Sequence, residues 1–157
     1  GGTGMEYRQL TDNEKREVCA WRYAGAYARY NLPPFDQAVE LGYGFVDPAR
    51  AREYYGFFED GALVGFAHLE EKDGTPTVGV GVRPDRCGQG LGRRMMEEVW
   101  AISRRLYPGK ALALEVQTWN GRAIACYRRA GFQPVGEPFT RETPTGPAEF
   151  QRMLRES

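Results

Sequence analysis

The stretch best suited to chemistry is a glycine-rich loop in the middle of the chain. Glycines alternate with other residues at Gly88, Gly90 and Gly92, after an apolar segment that ends at Val82. The pattern predicts a strand before the loop and a helix that starts inside it. Glycines let the backbone approach a ligand closely, and the free N–H groups of a first helical turn attract an anion. The loop therefore predicts a site for a compact anion such as a pyrophosphate.

Two other phosphate-binding loops fit this stretch poorly. A P-loop needs Lys-Ser or Lys-Thr after its last glycine, whereas Gly92 is followed by Arg93 and Arg94. The dinucleotide fingerprint has the spacing G-x-G-x-x-G in a parallel unit, whereas these glycines are spaced G-x-G-x-G after an antiparallel meander. A glycine-rich turn that only starts a helix is the other interpretation of the loop.

A second pattern follows the loop along the chain. The segment 112–116 is apolar apart from Glu115, which predicts a short strand. After it comes the pattern Asn120-x-x-Ala123-x-x-x-Tyr127-x-x-x-Gly131-Phe132. Taken in this order, the loop, the strand and the pattern resemble the GCN5-related N-acetyltransferase (GNAT) superfamily over about residues 78–132.

The resemblance implies that the chain uses acetyl-CoA as co-substrate, with no metal ion. The family's acetyl-CoA loop corresponds to residues 87–92, and Cys87 stands where the family usually has Arg or Gln. Cys87 would then serve the pyrophosphate through its backbone N–H, or act as a small neutral filler. Asn120 would bind the cofactor arm and also cap a helix. The residues implied in cofactor binding are Val80, Val82, Cys87, Gly88, Gln89, Gly90, Leu91, Gly92, Arg93, Asn120 and Tyr127.

The resemblance also implies two catalytic side chains. Tyr127 matches the family's tyrosine, a general acid that protonates the departing thiolate. Glu115 lies in a Leu-Glu-Val segment similar to that of the ribosomal-protein N-terminal alanine acetyltransferases, in which this Glu is implicated as the base. His68 acting through water, or an ordered water, stays open as the base. Each residue also has a non-catalytic interpretation: Tyr127 as a packed helix residue, and Glu115 as an outward-facing residue of its strand.

Aromatic residues are concentrated before the loop, with 11 of the 20 between Trp21 and Phe58. Tyr23, Tyr27 and Tyr30 recur at helical spacing. In the GNAT layout this region covers the acceptor groove, where aromatic rings and nearby acids would suit a cationic amine or a peptide N-terminus. An aromatic stripe at helical spacing is also typical of a core-facing helix.

The elements that position these residues predict an α/β (α+β) fold. Asp-Gly turns separate three runs, 54–59, 62–71 and 75–82, which predicts an antiparallel meander. The rest of the chain predicts strand–helix–strand–helix–strand units. We therefore expect a GNAT-like, mixed, mostly antiparallel central sheet of six to seven strands, flanked by about four helices.

Individual boundaries follow from local signals. A capping box at Thr11 and Glu14 starts a helix predicted to run past Trp21, and a second helical piece is predicted at 35–41. A helix face is predicted at Leu91, Met95, Val99, Ile102 and Leu106. The remaining predicted elements are strands at 5–10, 111–116, 132–135 and 150–154 and a helix at 120–130.

Length and composition narrow the class of protein. We expect one domain over residues 5–157, preceded by an expression-tag remnant at 1–4. Three separated cysteines argue for a reducing cytoplasm and against a disulfide scaffold or a zinc site. No apolar run approaches a membrane span, so no membrane partner is expected. Residues 1–82 carry 8 basic and 13 acidic side chains, and residues 83–129 carry 10 and 4. This balance suits a compact anionic ligand better than a nucleic acid.

The expected function is therefore transfer of an acetyl group from acetyl-CoA to a primary amine of a small molecule or of a peptide N-terminus. The alternatives are a non-catalytic acyl-CoA-binding or regulatory domain on the same fold, and a nucleotide-binding or NAD-binding domain. The oligomeric state is left open, with a homodimer among the options.

Overall fold

Seven strands form one mixed sheet in the computed structural model, which describes residues 4–156; the predicted tag remnant lies outside these residues except for Gly4. The strand order is β1-β2-β3-β4-β5-β7-β6. The strands are β1 (Glu6–Gln9), β2 (Tyr54–Glu59), β3 (Ala62–Lys72), β4 (Thr75–Val82), β5 (Leu112–Gln117), β6 (Gln133–Thr143) and β7 (Gly146–Arg155). The helices are α1 (Asp12–Ala20), α2 (Phe35–Glu40), α3 (Leu91–Leu106) and α4 (Gly121–Arg129). Short 3₁₀ helices span Gly25–Tyr30, Gly44–Val46, Pro48–Glu53 and Pro84–Arg86.

The predicted fold class is confirmed. β4 and β5 run parallel, whereas β1 with β2, β2 with β3, β5 with β7 and β6 with β7 are antiparallel. The chain divides into two compact units. The first unit holds the described residues up to His68 together with Gly81–Leu91, and the second holds Leu69–Val80 and the described residues from Gly92 onward.

In the first unit, the turn between β2 and β3 has the chemistry that the first hairpin of the predicted meander requires. Asp60 and Gly61 have φ angles of 50° and 80°, so both lie in the left-handed region that a tight two-residue hairpin turn needs. Tyr54 then lies opposite His68 and Gly56 opposite Phe66. The core of this unit consists of Leu10, Val18, Cys19, Trp21, Ala38, Phe45, Val46, Tyr54, Phe58 and Leu63.

The first helix begins as predicted and ends earlier than predicted. The Thr11 hydroxyl accepts from the Glu14 backbone N–H, and the Glu14 carboxylate accepts from the Thr11 N–H, which completes the capping box. The helix ends at Ala20 because Trp21 adopts an extended conformation and buries its side chain. The Arg22 guanidinium stabilises this ending by donating to the carbonyls of Cys19 and Trp21. The tyrosines predicted at helical spacing therefore do not share one α-helix.

α3, which belongs to the second unit from Gly92 onward, buries the predicted apolar face with one exception. Leu91, Met95, Val99 and Ile102 are buried, whereas Leu106, the last residue of the helix, is 49% exposed. The prediction that Leu106 belongs to the buried face is wrong, because the chain turns away after this residue through Pro108 and Gly109.

The two final strands of this unit are longer than the apolar pattern predicted. β6 and β7 form one long hairpin that turns at Pro144 and Thr145. β6 is mostly exposed on both faces, so its residues carry little apolar periodicity. The second half of β7 also pairs with β5 along the whole length of β5, from Leu112 opposite Arg155 to Gln117 opposite Phe150.

Among residues 4–156, no helix is both long enough and apolar enough to cross a membrane.

Candidate active site

The glycine loop adopts a conformation that only glycine accommodates easily. After β4, a 3₁₀ turn at Pro84–Arg86 leads into the loop, where Gly88 and Gly90 have φ angles of 79° and 78°. A non-glycine residue at these angles is strained, because its Cβ approaches a backbone oxygen. A Cβ at either position would meet nothing within 4 Å. The two glycines are therefore required by backbone conformation, and the space beside them is open.

The backbone of this loop fits an anionic ligand. Within residues 4–156, the N–H groups of Gly88, Gln89 and Gly90 have no hydrogen-bond acceptor in the protein, and the three residues are exposed. The side chain of Leu91 is buried and anchors the first turn of α3 in the core. Exposed N–H donors beside a helix start are the groups that bind a phosphate. The loop thus fits the pyrophosphate that the sequence predicted.

Arg86 connects the loop to the sheet by hydrogen bonds. Its guanidinium donates to the Glu59 carboxylate at 2.5 Å and to the Gln89 side-chain oxygen at 2.9 Å. Because Glu59 ends β2, these bonds connect the loop to the edge of the hairpin. Arg86 is therefore paired with a carboxylate of the protein, and its two hydrogen bonds stabilise the conformation of the loop.

The end of β4 is held from two sides. The Tyr23 hydroxyl donates to the Val82 carbonyl at 2.7 Å, and the Cys87 thiol lies 3.8 Å from the same oxygen. Burial raises the pKa of Tyr23, so its hydroxyl keeps its proton. The N–H of Cys87, predicted to serve a pyrophosphate, points to the Pro84 carbonyl at 3.5 Å. Sequence reasoning missed the pairing of Tyr23 with Val82, which no local pattern signals.

In the second unit, β5 presents the predicted base. Glu115 is half-buried and forms an ion pair with Arg141 of β6. The Arg141 guanidinium also lies 4.1 Å from the centre of the Phe150 ring. The structure thus gives Glu115 a cationic partner that the sequence did not indicate. The assignment of Glu115 as base stays a prediction.

The second motif forms β5, α4 and their connection. Asn120 is buried and caps α4, with its side-chain oxygen accepting from the Ala123 N–H at 3.2 Å. Gly131 has a φ of 94° and lets the chain reverse, so that the Phe132 N–H bonds the Tyr127 carbonyl at 3.0 Å. The fixed positions of the motif therefore have structural roles at both ends of the helix.

Tyr127 lies in the last turn of this helix. It is half-buried, and its ring meets the edge of Phe132 with centroids 6.2 Å apart. Its role as general acid stays a prediction.

The other predicted cofactor residues of the second unit lie on β4 and α3. β4 pairs with β5 at Thr77 opposite Ala113, and in the described part of the chain this register extends no further. Val80 is half-buried beyond this point. Gly92 and Arg93 lie in the first turn of α3, and Arg93 is exposed.

The alternative base, His68, is part of a hydrogen-bonded group in the first unit. Its Nε2 lies 2.7 Å from the Glu53 carboxylate, and its ring stacks on Tyr54 with centroids 4.2 Å apart. Partial burial acts to raise the pKa of Glu53, but hydrogen bonds with His68 and Arg50 hold it below its ordinary value. Glu53 orients the imidazole, which suits either a structural role or a relayed base.

Comparison with known proteins identifies the family. A model of the acetyltransferase (GNAT) family matches residues 15–132. The chain belongs to this family. It is 39% identical over 88 residues to the N-alpha-acetyltransferase RimI of Mycobacterium tuberculosis, a match covering 53% of each protein. It is 35% identical over 104 residues to the mycothiol acetyltransferase of Propionibacterium freudenreichii, which covers 63% of this chain and 33% of that protein. The chain thus spans about half or less of the length of these curated relatives.

Solved structures of N-acetyltransferases share its fold. A chimera of spermidine N-acetyltransferase SpeG from Vibrio cholerae and hSSAT superimposes with a TM-score of 0.77 at 19% identity, covering 97% of this chain and 95% of that one. The ribosomal-protein-S18-alanine N-acetyltransferase from Escherichia coli gives a TM-score of 0.66 at 20% identity, covering 98% and 94%. At these sequence identities, the structural similarity shows that the fold is shared. It does not show which acceptor is acetylated.

Proposed function

We propose that this GNAT protein is an acetyl-CoA-dependent N-acetyltransferase that acts on a primary amine. The observation that carries the proposal is the glycine loop, in which left-handed Gly88 and Gly90 expose backbone N–H donors beside the start of α3. Acetyl-CoA supplies an activated acetyl group and a pyrophosphate. Gly88, Gln89, Gly90 and Leu91 would hold the pyrophosphate through backbone N–H groups.

Residues of the protein must perform three functions in the acetyl transfer. A base accepts a proton from the amine, so that the nitrogen can form a bond to the carbonyl carbon as the carbon–sulfur bond breaks. A backbone N–H near Val82 orients the thioester carbonyl oxygen by a hydrogen bond. Tyr127 gives its proton to the leaving sulfur and is reprotonated from solvent. We assign the base to Glu115, with His68 through water as the alternative.

The acceptor is proposed as a small-molecule amine or a peptide N-terminus. The similarity to RimI, whose name describes an N-alpha-acetyltransferase, favours peptide N-termini as the first acceptors to test. The similarity to mycothiol acetyltransferases supports small amines on the same panel.

The test is a panel of amines and peptides with acetyl-CoA, read by free-thiol release and by mass spectrometry of the acceptor. We expect stoichiometric thiol release and a single added acetyl group on one class of acceptor. Isothermal titration with acetyl-CoA is run beside it. Binding without turnover over the whole panel would favour the non-catalytic acyl-CoA-binding domain. Binding of NAD or ATP without binding of CoA would favour a nucleotide-binding domain and contradict the proposal.

A further inference from the structure

A tyrosine far along the chain from the glycine loop reaches the end of β4. The Tyr23 hydroxyl donates to the Val82 carbonyl at 2.7 Å, although the two residues are 59 positions apart. Val82 is the last residue of β4, and one residue, Arg83, separates it from the 3₁₀ turn that leads into the loop. The hydrogen bond therefore restrains the position at which β4 ends and the segment leading to the candidate cofactor loop begins.

Tyr23 is itself fixed by polar contacts to its backbone. Its N–H donates to the Asn31 side-chain oxygen at 2.7 Å, and the Asn31 amide nitrogen lies 3.5 Å from the Tyr23 carbonyl. The neighbouring Arg22 donates to the carbonyls of Cys19, Trp21 and Leu32 from a single guanidinium nitrogen. These bonds cross-link residues 21–32, which connect α1 and α2. They restrain the backbone that carries the Tyr23 side chain.

The peptide that follows Val82 is consequently held at both of its polar atoms. Its carbonyl accepts from Tyr23, and its N–H, which belongs to Arg83, donates to the Val64 carbonyl at 2.9 Å. A peptide unit is planar, so bonds to both atoms fix the orientation of the whole unit. The Arg83 guanidinium adds a further bond to the Leu63 carbonyl at 3.0 Å. Because the Arg83 N–H is already paired, the thioester hydrogen bond assigned to this region under the proposed function falls to the N–H of Val82, which belongs to the preceding peptide.

We propose that Tyr23 is a positioning residue for acetyl transfer, which holds the Val82 carbonyl and so restrains the end of β4, where the Val82 N–H faces the thioester carbonyl. This inference rests on the proposed function, because it names a residue that aligns the same reaction. Burial keeps Tyr23 protonated, so it donates this bond across the pH range of an assay. The contribution of such a residue is alignment of the reacting groups rather than affinity.

The test compares Tyr23→Phe with Tyr7→Phe. Tyr7 is a half-buried tyrosine of the same unit, packed against Tyr55 and Phe57 on the side of β1. For each variant we would measure thermal melting, the Kd of acetyl-CoA, kcat with one good acceptor, and hydrogen exchange of the peptide covering residues 78–90. We expect Tyr23→Phe to lower kcat about 10-fold with the Kd of acetyl-CoA within about twofold of wild type. We also expect faster exchange at the end of β4. Tyr7→Phe should change neither kcat nor this exchange.

Each other outcome contradicts the proposal in a recognisable way. Unchanged kcat or unchanged exchange in a folded Tyr23→Phe protein would overturn the positioning role. An equal loss of kcat in Tyr7→Phe would show that the loss follows general destabilisation, and would overturn it too. If the wild-type protein turned over no acceptor, the proposed function would fail together with this inference. Turnover by wild type with equal kcat in Tyr23→Phe would overturn only the role of Tyr23.

Discussion

Tyr127 is the residue whose assignment is simplest to test. Its hydroxyl is the only part of the side chain that the proposed proton transfer uses, whereas its ring packs on Phe132. Tyr127→Phe keeps that packing and should lower kcat by about 10² to 10⁴-fold, with the Kd of acetyl-CoA near that of wild type. Tyr107→Phe, in a half-buried tyrosine of the same unit, is the control. A kcat within twofold of wild type, when chemistry limits the rate, would assign the proton to another group or to water.

Glu115 can be tested as a base separately from its ion pair with Arg141. Glu115→Gln cannot accept the amine proton, so turnover should fall most at low pH and recover partly at high pH, where neutral amine is plentiful. Arg141→Met breaks the same ion pair and leaves the carboxylate in place.

The measurement is a pH series of kcat/KM for wild type and both variants, with thermal melts. If the only role of Glu115 is its ion pair with Arg141, both variants will have a lower melting temperature and the same pH profile of kcat/KM as wild type. That result would pass the base assignment to His68 or to an ordered water.

At the scale of elements, the glycine loop requires Gly90 for its left-handed conformation. Gly90→Ala should weaken acetyl-CoA binding by about 10-fold or more, because a side chain there strains the loop and displaces its N–H donors. Gly109→Ala is a matched control, since Gly109 has a φ of 77°, lies beyond the end of α3, and is a position where an added Cβ would also meet nothing within 4 Å. The two variants carry the same backbone strain. Equal affinity in both, measured by titration calorimetry, would place the cofactor away from the loop.

The start of α1 makes stability depend on pH. Hydrogen bonding from Arg8 holds the pKa of Glu14 below its ordinary value. A lowered folded-state pKa means that the stabilisation is present above the unfolded value of about 4.3 and is lost as the pH falls through the folded value. Glu14→Gln should therefore lower the free energy of unfolding at pH 7 by up to about 1 kcal/mol.

The loss caused by the same substitution should be smaller near pH 3 than at pH 7, because protonation of Glu14 in wild type removes stabilisation as the pH falls. Urea unfolding at both pH values measures this, with Glu17→Gln, an exposed acid on the same helix, as control. A loss of equal size at both pH values would show that Glu14 stabilises the helix without its charge.

These elements also show how much of the fold the sequence could predict. The meander, the start of α1, α3 and α4 were predictable because turns, caps and periodicity are local signals. The end of α1 was not, because it depends on burial of Trp21 in the core and on an Arg22 side chain that also bonds the Leu32 carbonyl. The same limit applies to the site. The left-handed glycines follow from the sequence, whereas the partners Tyr23 and Arg141 come from strands and loops far along the chain.

At the scale of the whole molecule, binding of acetyl-CoA should appear as stability. A ligand at 100 times its Kd adds about 2.7 kcal/mol to the free energy of unfolding if it binds only the folded state. For a protein of this size, about 1 kcal/mol shifts the melting temperature by roughly 2–4 °C, so an increase of roughly 5–11 °C is expected. The basic segment 83–129 should make this shift smaller at high salt, since the ligand is an anion.

Thermal melts with acetyl-CoA, CoA, NAD and ATP at equal concentrations test this expectation and discriminate between the classes of protein. Acetyl-CoA and CoA share the pyrophosphate and should both raise the melting temperature. NAD and ATP also carry phosphates but lack the pantetheine arm of CoA, so they should raise it little. Gly90→Ala should lose most of the shift, and Gly109→Ala should keep it. A shift with NAD or ATP as large as that with acetyl-CoA would mean that the loop recognises phosphate alone, and would contradict an acetyl-CoA site.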